Sequence, residues 1–208
     1  MDLESGVRIK FRPRQRDIRP SRYPQADGLL HWCRVFDAEG MAPLEGGASA
    51  GNLSFRTVNG FVITPTRSRL KSILAWERLV EVVRSDWTDY EMHYLGFDPP
   101  SSDAFLHERI YRGRADVEAV FHGHDAAVLD RADALAREFD IAVTPREISF
   151  GTRVDAEETP RALGSRDYLI RKGHGFLSVG RTLDQAGELA LKIHRRAVEL
   201  LRSSPSAR

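Results

Sequence analysis

Apolar residues recur along the chain at two spacings, which divide it into short strands and a few helices. Alternate apolar positions predict strands, and apolar positions three and four apart predict helices. Strands are expected at residues 7–12, 53–56, 61–66, 90–95, 117–125, 168–171 and 176–179. Helices are expected at residues 27–41, from 103 onward, at 126–139 and at 183–200. Residues 74–83 are expected to pass from a short helix into a strand, and 141–143 and 147–150 to be short extended pieces.

Turn and capping residues mark the ends of several elements. Asn59-Gly60 between two strand-like runs predicts a β-hairpin, because this pair readily adopts the backbone angles of a two-residue turn. Pro13 is expected to end the first strand, and Gly40 lies at the end of the first helix. Thr182 with Gln185 predicts a capping box at the start of the last helix.

Length and charge narrow the class of protein. The chain has 208 residues, 41% of them hydrophobic, which predicts a single domain over 1–202 with a disordered tail at 203–208. The 31 basic and 30 acidic side chains give a net charge of +1, so neither nucleic acid nor an anionic membrane is expected as a partner. Arginines at 14, 16, 19 and 22 could form a basic arm, but the solvated face of a strand followed by an irregular segment is the favoured interpretation.

Cysteine content and hydropathy predict a cytoplasmic protein. Cys33 is the only cysteine, so it cannot form an internal disulfide. The first six residues show neither the basic region nor the apolar core of a signal peptide, and no run of 18 apolar residues could span a bilayer.

The candidate chemistry begins with His122-Gly123-His124 at the end of a predicted buried strand. Because side chains alternate along a strand, His122 and His124 point to the same side. Two convergent imidazoles favour a divalent transition metal, although two hydrogen-bonded histidines at a strand end would show the same pattern. A third histidine, His174, lies between two glycines in the break between two apolar strands, a setting that favours a ligand.

Two further stretches could bind an anion. Small residues at 46–54 lead into a strand and offer backbone N–H groups and hydroxyls, which can hold a phosphate or a carboxylate. Ser102 or Asp103 could cap the helix that follows, or Asp103 could be a catalytic carboxylate beside an anion site. The residues alone favour the cap.

Five motifs occur in the order seen in the class II aldolase/adducin family, which the chain resembles over residues 25–200. They are Gly51-Asn52-Leu53-Ser54, Thr64-Pro65-Thr66, Ser101-Ser102-Asp103 with His107, His122-Gly123-His124 and Gly173-His174-Gly175. Five ordered motifs are far more specific than any one of them.

The resemblance implies an α/β fold with three layers, α/β/α, around a mostly antiparallel central sheet, and a cyclic homotetramer. It implies zinc, or another divalent transition metal, bound by three histidines: His122, His124 and His174. The positions that match the phosphate-binding residues of the family are Ser49, Asn52, Thr66, Ser101 and Ser102. Asp103 stands where the aldolases carry a glutamate that acts as base and acid, and where the epimerases carry an aspartate.

The implied activity is zinc-dependent, reversible cleavage of a sugar phosphate, a ketose phosphate, to dihydroxyacetone phosphate and an aldehyde through an enediolate. Three alternatives use the same site: epimerisation, dehydration of a methylthio-sugar phosphate, and decarboxylation. A non-catalytic scaffold like the adducin head is a further alternative.

Two departures from the family pattern leave the reaction open. Arg67 follows Thr66 where the family usually has glycine, and it could either clamp the phosphate or fill its space. No tyrosine lies between Phe139 and Phe150 or after Tyr168, so the chain lacks a match to the aromatic proton donors of the family.

Overall fold

One large sheet organises the part of the chain that the computed structural model describes, residues 9–203. Within these residues nine strands pair in the order β1-β7-β6-β5-β4-β8-β11-β10-β9, and β2 and β3 form a separate hairpin. The strands are β1 (Arg12–Asp17), β2 (Leu44–Glu45), β3 (Ala48–Ser49), β4 (Asn52–Thr57), β5 (Gly60–Ile63), β6 (Val80–Asp86), β7 (Glu91–Leu95), β8 (Ala119–Gly123), β9 (Ala142–Val143), β10 (Tyr168–Arg171) and β11 (Gly175–Gly180). Only the two edge pairs of the large sheet, β1 with β7 and β9 with β10, are parallel.

Helices cover both faces of the sheet, which confirms the predicted three layers. The helices are α1 (Ala26–Ala38), α2 (Ala104–Gly113), α3 (Ala126–Asp130), α4 (Ala132–Phe139), α5 (Arg153–Leu163) and α6 (Leu183–Ser203). One apolar cluster joins α1, α3, α4 and α6 to the first face, and a second joins α2 and α5 to the other.

The first layer is closed by a tight crossing of α1 and α6. A Cβ atom on Gly187 would lie only 2.2 Å from the Trp32 ring, so this position requires glycine. The Trp32 indole N–H donates to Asp184 at 2.9 Å, which satisfies the polar atom of a buried ring. This layer packs beneath β8 and β11, and the candidate metal ligands lie in β8 and just beyond the ends of these two strands.

The structure confirms several local predictions. The predicted hairpin joins β4 to β5, but its two-residue turn is Val58-Asn59, one residue earlier than the predicted Asn59-Gly60, because Gly60 pairs with Thr57 in the sheet. The Gln185 N–H donates to the Thr182 hydroxyl, and the Gln185 side chain accepts from the Arg181 N–H. Gly40 has a φ of 74°, the left-handed conformation that commonly ends a helix.

The predicted first strand is wrong in its bounds. The strand begins at Arg12 and runs through Pro13 to Asp17, whereas residues 7 and 8 lie outside the described residues. Proline is tolerated because β1 is an edge strand, where one N–H faces solvent rather than a partner. Arg14 binds the Glu91 carboxylate on β7, so this part of the basic segment is a strand face, as favoured.

Other predicted elements differ in extent. The helix expected at 126–139 breaks at Arg131 into α3 and α4. The stretch 74–83 passes from a short helix into a strand as predicted, but the helix is a 3-10 turn of three residues, Trp76–Arg78, before β6. Residues 147–150 join no strand. The sequence pattern missed α5 because two of its four buried residues, Asp155 and Thr159, are polar. The tail predicted to be disordered lies outside the described residues from 204 onward.

No helix within residues 9–203 is both long and apolar enough to cross a membrane.

A partly buried ion pair joins α6 to the start of α3, and it should make the free energy of unfolding depend on pH. Asp125 caps α3 by accepting from the Val128 N–H at 3.2 Å, and its other oxygen accepts from His194 Nδ1 at 2.7 Å. This hydrogen bond raises the pKa of His194 above its ordinary value of 6.5. The stabilisation is therefore fully present below about pH 6.5 and is lost as pH rises through the raised pKa.

We expect His194→Gln to lower the free energy of unfolding by roughly 1–3 kcal/mol at about pH 5, and by less at about pH 9. Urea unfolding of both proteins at the two pH values measures the difference. An equal loss at both pH values would contradict a charged His194.

Candidate metal centre

Three histidines meet at one point above the sheet. His122 lies in β8, His124 follows the end of β8, and His174 lies in the turn between β10 and β11. Since β8 pairs with β11, with His122 opposite Leu177, the turn that carries His174 comes beside the end of β8. The three ring centroids are 4.7–5.0 Å apart, and one ligand nitrogen from each ring lies within 4.8 Å of the others. The structure thus brings the three predicted ligands together.

Neighbouring acceptors orient two of these rings. His122 Nδ1 lies 2.7 Å from the Phe176 carbonyl oxygen and His124 Nδ1 lies 2.9 Å from a carboxylate oxygen of Glu45. In each case the Nδ1–H donates, which leaves Nε2 with its lone pair. Metal-binding histidines usually have such a partner on their other nitrogen.

Burial keeps two of the imidazoles neutral. It lowers the pKa of His174 to about 3 and places the pKa of His122 well below 6.5. A metal binds only the neutral imidazole, so the donor set fits a divalent ion.

Gly123, between His122 and His124, is needed for packing on the opposite side of the strand from the histidines. A Cβ on Gly123 would lie 2.6 Å from the Phe176 ring, on the core side of the strand.

Asp103 lies beside the histidines and does not cap its helix. It occupies the N-terminal position of α2, but its side chain accepts no hydrogen bond from the helix backbone. Instead Oδ2 accepts from Asn52 Nδ2 at 3.4 Å and from Arg171 at 3.3 Å, and it lies 3.6 Å from His122 Nε2. The interpretation as a cap, which the residues alone favoured, is wrong.

The two oxygens of Asp103 differ in their contacts. Oδ1 is buried and has no hydrogen-bond partner among the described residues. Burial works against the charged form, but the charges of Arg171 and its neighbours outweigh it, and the pKa of Asp103 lies below its usual value. An ionised carboxylate with one unengaged oxygen can accept a proton from a bound molecule.

The polar stretches form a cradle next to this carboxylate. We call residues 49–52, 64–66 and 99–102 the cradle. Two backbone hydrogen bonds connect these loops: the Ser49 N–H donates to the Ser68 carbonyl at 2.7 Å, and the Thr66 N–H donates to the Pro99 carbonyl at 3.0 Å. Thr66 Oγ1 and Asn52 Oδ1 are buried and have no partner within residues 9–203. Buried polar atoms without partners are rare in folded proteins, and these two line the same cavity as the histidines, where a bound ligand could contact them.

The cradle and the histidines line one cavity of about 100 Å³. It includes every predicted site residue: Ser49, Asn52, Thr66, Arg67, Ser101, Ser102, Asp103, His122, His124 and His174. The Ser49 hydroxyl, however, is already engaged, because it donates to the Ala42 carbonyl and accepts from Lys71. Lys71 is 1% exposed and burial lowers its pKa to about 8. It places a cation directly behind the cradle.

Arg67 stands at the mouth of this cavity in an unusual backbone conformation. Its φ of 54° is rare for a residue with a side chain, which agrees with the glycine expected at this position. The side chain is exposed, and it makes no hydrogen bond or ion pair with any described residue. Arg67 also lines a larger neighbouring groove of about 720 Å³.

Sequence reasoning missed several residues around the site. They are Glu45, Lys71, Phe150, Asp155 and Arg171. Phe150 lines the cavity with its ring 5.8 Å from that of His174, and its place after a run of extended residues gave no signal. Arg171 lies in a predicted strand and has no local pattern that marks a site residue. Its position shortly before His174 in the sequence was the one available hint.

Comparison with known proteins decides the family. Residues 27–200 match the family model of the class II aldolase and adducin N-terminal domain. The chain belongs to this family. Membership of the class II aldolase family makes it an enzyme, as predicted from the five motifs, and is consistent with a metal-dependent lyase.

The relatives of this class II aldolase family member include two aldolases. It is 30% identical over 194 residues to 5-methylthioribulose-1-phosphate/5-deoxyribulose-1-phosphate aldolase of Rhodospirillum rubrum, covering 88% of this chain and 82% of the relative. It is 29% identical over 158 residues to L-fuculose phosphate aldolase of Escherichia coli, covering 70% and 69% of the two chains.

A solved structure confirms the fold. The crystal structure of L-fuculose-1-phosphate aldolase from Thermus thermophilus superimposes with a TM-score of 0.69 at 22% identity, covering 89% of this chain and all of the other.

We expect His174→Ala to abolish stoichiometric binding of zinc, since two imidazoles bind it far more weakly than three. Elemental analysis after dialysis measures the bound metal. His31→Ala is the matched control, because His31 lies exposed on α1 and should leave the zinc content unchanged. Full zinc content in His174→Ala would refute its assignment as a ligand.

Proposed function

We propose that the protein is a zinc-dependent aldolase that reversibly cleaves a ketose 1-phosphate to dihydroxyacetone phosphate and an aldehyde. One observation carries the proposal: three convergent imidazoles, the unengaged oxygen of Asp103 and the polar cradle share one cavity. The printed activities of the Rhodospirillum and Escherichia relatives support this reaction class.

His122, His124 and His174 would hold the metal. A zinc ion there supplies a Lewis acid for the carbonyl and hydroxyl oxygens of the substrate. His122 is buried and the other two rings are half-buried, which limits the access of water to the reacting carbons from the sheet side.

The cradle binds the phosphate in this proposal. Thr66 offers a buried hydroxyl without a partner among the described residues, and Ser101 and Ser102 lie at the start of α2, whose helix dipole favours an anion. Lys71 adds positive charge to the cradle without contacting the phosphate. Its ammonium group donates to the Ser49 hydroxyl and to the Ala50 carbonyl.

Asp103 moves the proton. In the synthetic direction its Oδ1 accepts a proton from the carbon of dihydroxyacetone phosphate that will form the new bond, and in cleavage it returns the proton to that carbon. The aldehyde end of the substrate lies toward Phe150, which lines the same cavity. An aromatic ring at that end suits an apolar tail, such as the methylthio or deoxy end named for the Rhodospirillum relative.

The length of the Asp103 side chain supports a second candidate reaction. Asp103 is one methylene shorter than the glutamate of the family's aldolases, and an aspartate matches the epimerases. The same site could therefore epimerise a sugar phosphate, or dehydrate a methylthio-sugar phosphate. The products separate these reactions, because only the aldolase releases dihydroxyacetone phosphate.

Assembly and location remain predictions from the sequence. The groove beside Arg67, where Leu70 and Ile73 are exposed, is a surface that a second subunit of the predicted tetramer could cover. The cytoplasmic location is a prediction from the cysteine content and the hydropathy of the sequence.

We expect the zinc-loaded protein to release dihydroxyacetone phosphate from a ketose 1-phosphate, and Asp103→Asn to keep its zinc while losing at least about 100-fold in kcat. 5-Methylthioribulose 1-phosphate and fuculose 1-phosphate are the first substrates to test. Coupling product release to oxidation of NADH by glycerol-3-phosphate dehydrogenase measures the rate.

Failure to release dihydroxyacetone phosphate from any C5 or C6 ketose phosphate would overturn the aldolase proposal. Near-normal turnover by Asp103→Asn would remove Asp103 from the mechanism. Absence of bound zinc from the wild-type protein would instead favour the non-catalytic scaffold.

Arg67→Gly should weaken the binding of a phosphorylated substrate and stabilise the fold. Loss of a cation at the cavity mouth raises KM, by roughly tenfold for one charge-assisted contact. Glycine removes a left-handed strain of roughly 1 kcal/mol. Steady-state kinetics and thermal unfolding measure the two effects, and a lower KM in the variant would show that Arg67 blocks the cradle.

A further inference from the structure

A buried arginine lies between two carboxylates behind the metal centre. Arg171 ends β10, and its side chain is 3% exposed. Its Nη2 lies 2.8 Å from each oxygen of Asp155, and its Nη1 lies 3.3 Å from Asp103 Oδ2 and 3.3 Å from His122 Nε2. One guanidinium therefore joins a carboxylate on α5 to the carboxylate at the start of α2.

The second carboxylate is held rigidly. Asp155 is fully buried in the first turn of α5, where Oδ1 accepts from the Thr159 hydroxyl at 2.7 Å and Oδ2 from the Gly151 N–H at 3.2 Å. A guanidinium is planar, so fixing one of its nitrogens against Asp155 also fixes the direction of the other. That direction is toward Asp103.

Charge explains why the three groups stay together. Asp103, Asp155 and Arg171 are all buried, and two carboxylates without a cation between them would repel each other in a medium of low dielectric constant. Among residues 9–203, Arg171 is the cation that contacts both carboxylates.

Metal binding by His122 would remove one of the contacts of Arg171. Its Nε2 lone pair cannot serve both a metal ion and the Arg171 N–H. With an ion bound, the contacts that remain to Arg171 are those with Asp103 and Asp155.

We propose that Arg171, anchored by Asp155, is a positioning residue that fixes Oδ2 of Asp103 and leaves Oδ1 free to exchange a proton with the substrate. This inference rests on the proposed role of Asp103 in catalysis. Asn52 also donates to the same oxygen, at 3.4 Å. Neither Arg171 nor Asp155 needs to touch the substrate.

The competing explanation is structural. Arg171 could serve only to neutralise Asp155 and so hold α5 against the sheet. In that case a variant that keeps the fold and the metal would keep its full activity. A lysine at 171 separates the two explanations, because it retains the charge but cannot bridge two carboxylates with a fixed fork.

The test compares Arg171→Lys and Asp155→Asn with the wild-type protein, all loaded with zinc. The rate at which dihydroxyacetone phosphate exchanges a carbon-bound proton for deuterium in D₂O, followed by NMR, measures the proton transfer without an aldehyde partner. We expect a loss of roughly 10–100-fold in the saturated exchange rate of both variants, with zinc content and half-saturating concentration nearly unchanged.

Arg114→Lys is the matched control. Arg114 is a partly buried arginine that also pairs with two carboxylates, Asp116 and Asp167, but it lies at the far end of α2 from Asp103. Arg114→Lys should lower the free energy of unfolding and leave the rate of proton-deuterium exchange unchanged. Normal exchange in folded, zinc-loaded Arg171→Lys and Asp155→Asn would overturn the proposal.

Crystal structures of the two variants provide a readout that needs no activity. We expect the Asp103 carboxylate to turn or move by roughly 1 Å, a displacement large enough to impair catalysis. An unmoved carboxylate would refute the positioning role. Absence of exchange in the wild-type protein would instead refute the proposed function, so the two failures are distinguishable.

Discussion

The register of β8 between β4 and β11 is the constraint on which the site depends. Asn52 lies opposite His122 on one side, and Leu177 lies opposite His122 on the other. This register places an amide of the cradle, a candidate metal ligand and the turn that carries His174 at one point. Because side chains alternate along a strand, a slip of one residue would turn His122 into the core. Gly123, packed against the Phe176 ring, helps to fix the register.

The second feature that shapes the site is a set of charged side chains buried away from water: Asp103, Asp155 and Arg171. A buried carboxylate would be protonated or would move away if no cation compensated for its charge. Arg171 supplies that cation, and the fully buried Asp155 keeps the guanidinium in place. The arrangement separates two tasks, since one oxygen of Asp103 is held and the other is left for chemistry. A group that must move a proton repeatedly gains from such a fixed geometry.

Much of the site could be predicted from the sequence, because its main parts are local. Alternation along a strand puts His122 and His124 on one side, and two glycines around His174 mark a turn between strands. The hairpin between β4 and β5 and the capping box at Thr182 likewise depend on neighbouring residues. The order of five motifs then implied the family, the layers and the ligand set. Strand pairing confirmed that these separate pieces meet.

The sequence by itself determined which groups could bind a metal and an anion, since imidazoles, hydroxyls and glycines carry that information in their type and spacing. Only the tertiary structure decided which groups Asp103 contacts, because a helix cap and a carboxylate that faces a metal site have the same local pattern and differ in their distant neighbours. It also revealed α5, half of whose buried residues are polar, and the pairing of Arg171 with carboxylates 16 and 68 positions away in the chain. Contacts at such separations have no local signature, because burial and charge compensation arise only when the sheet brings the residues together.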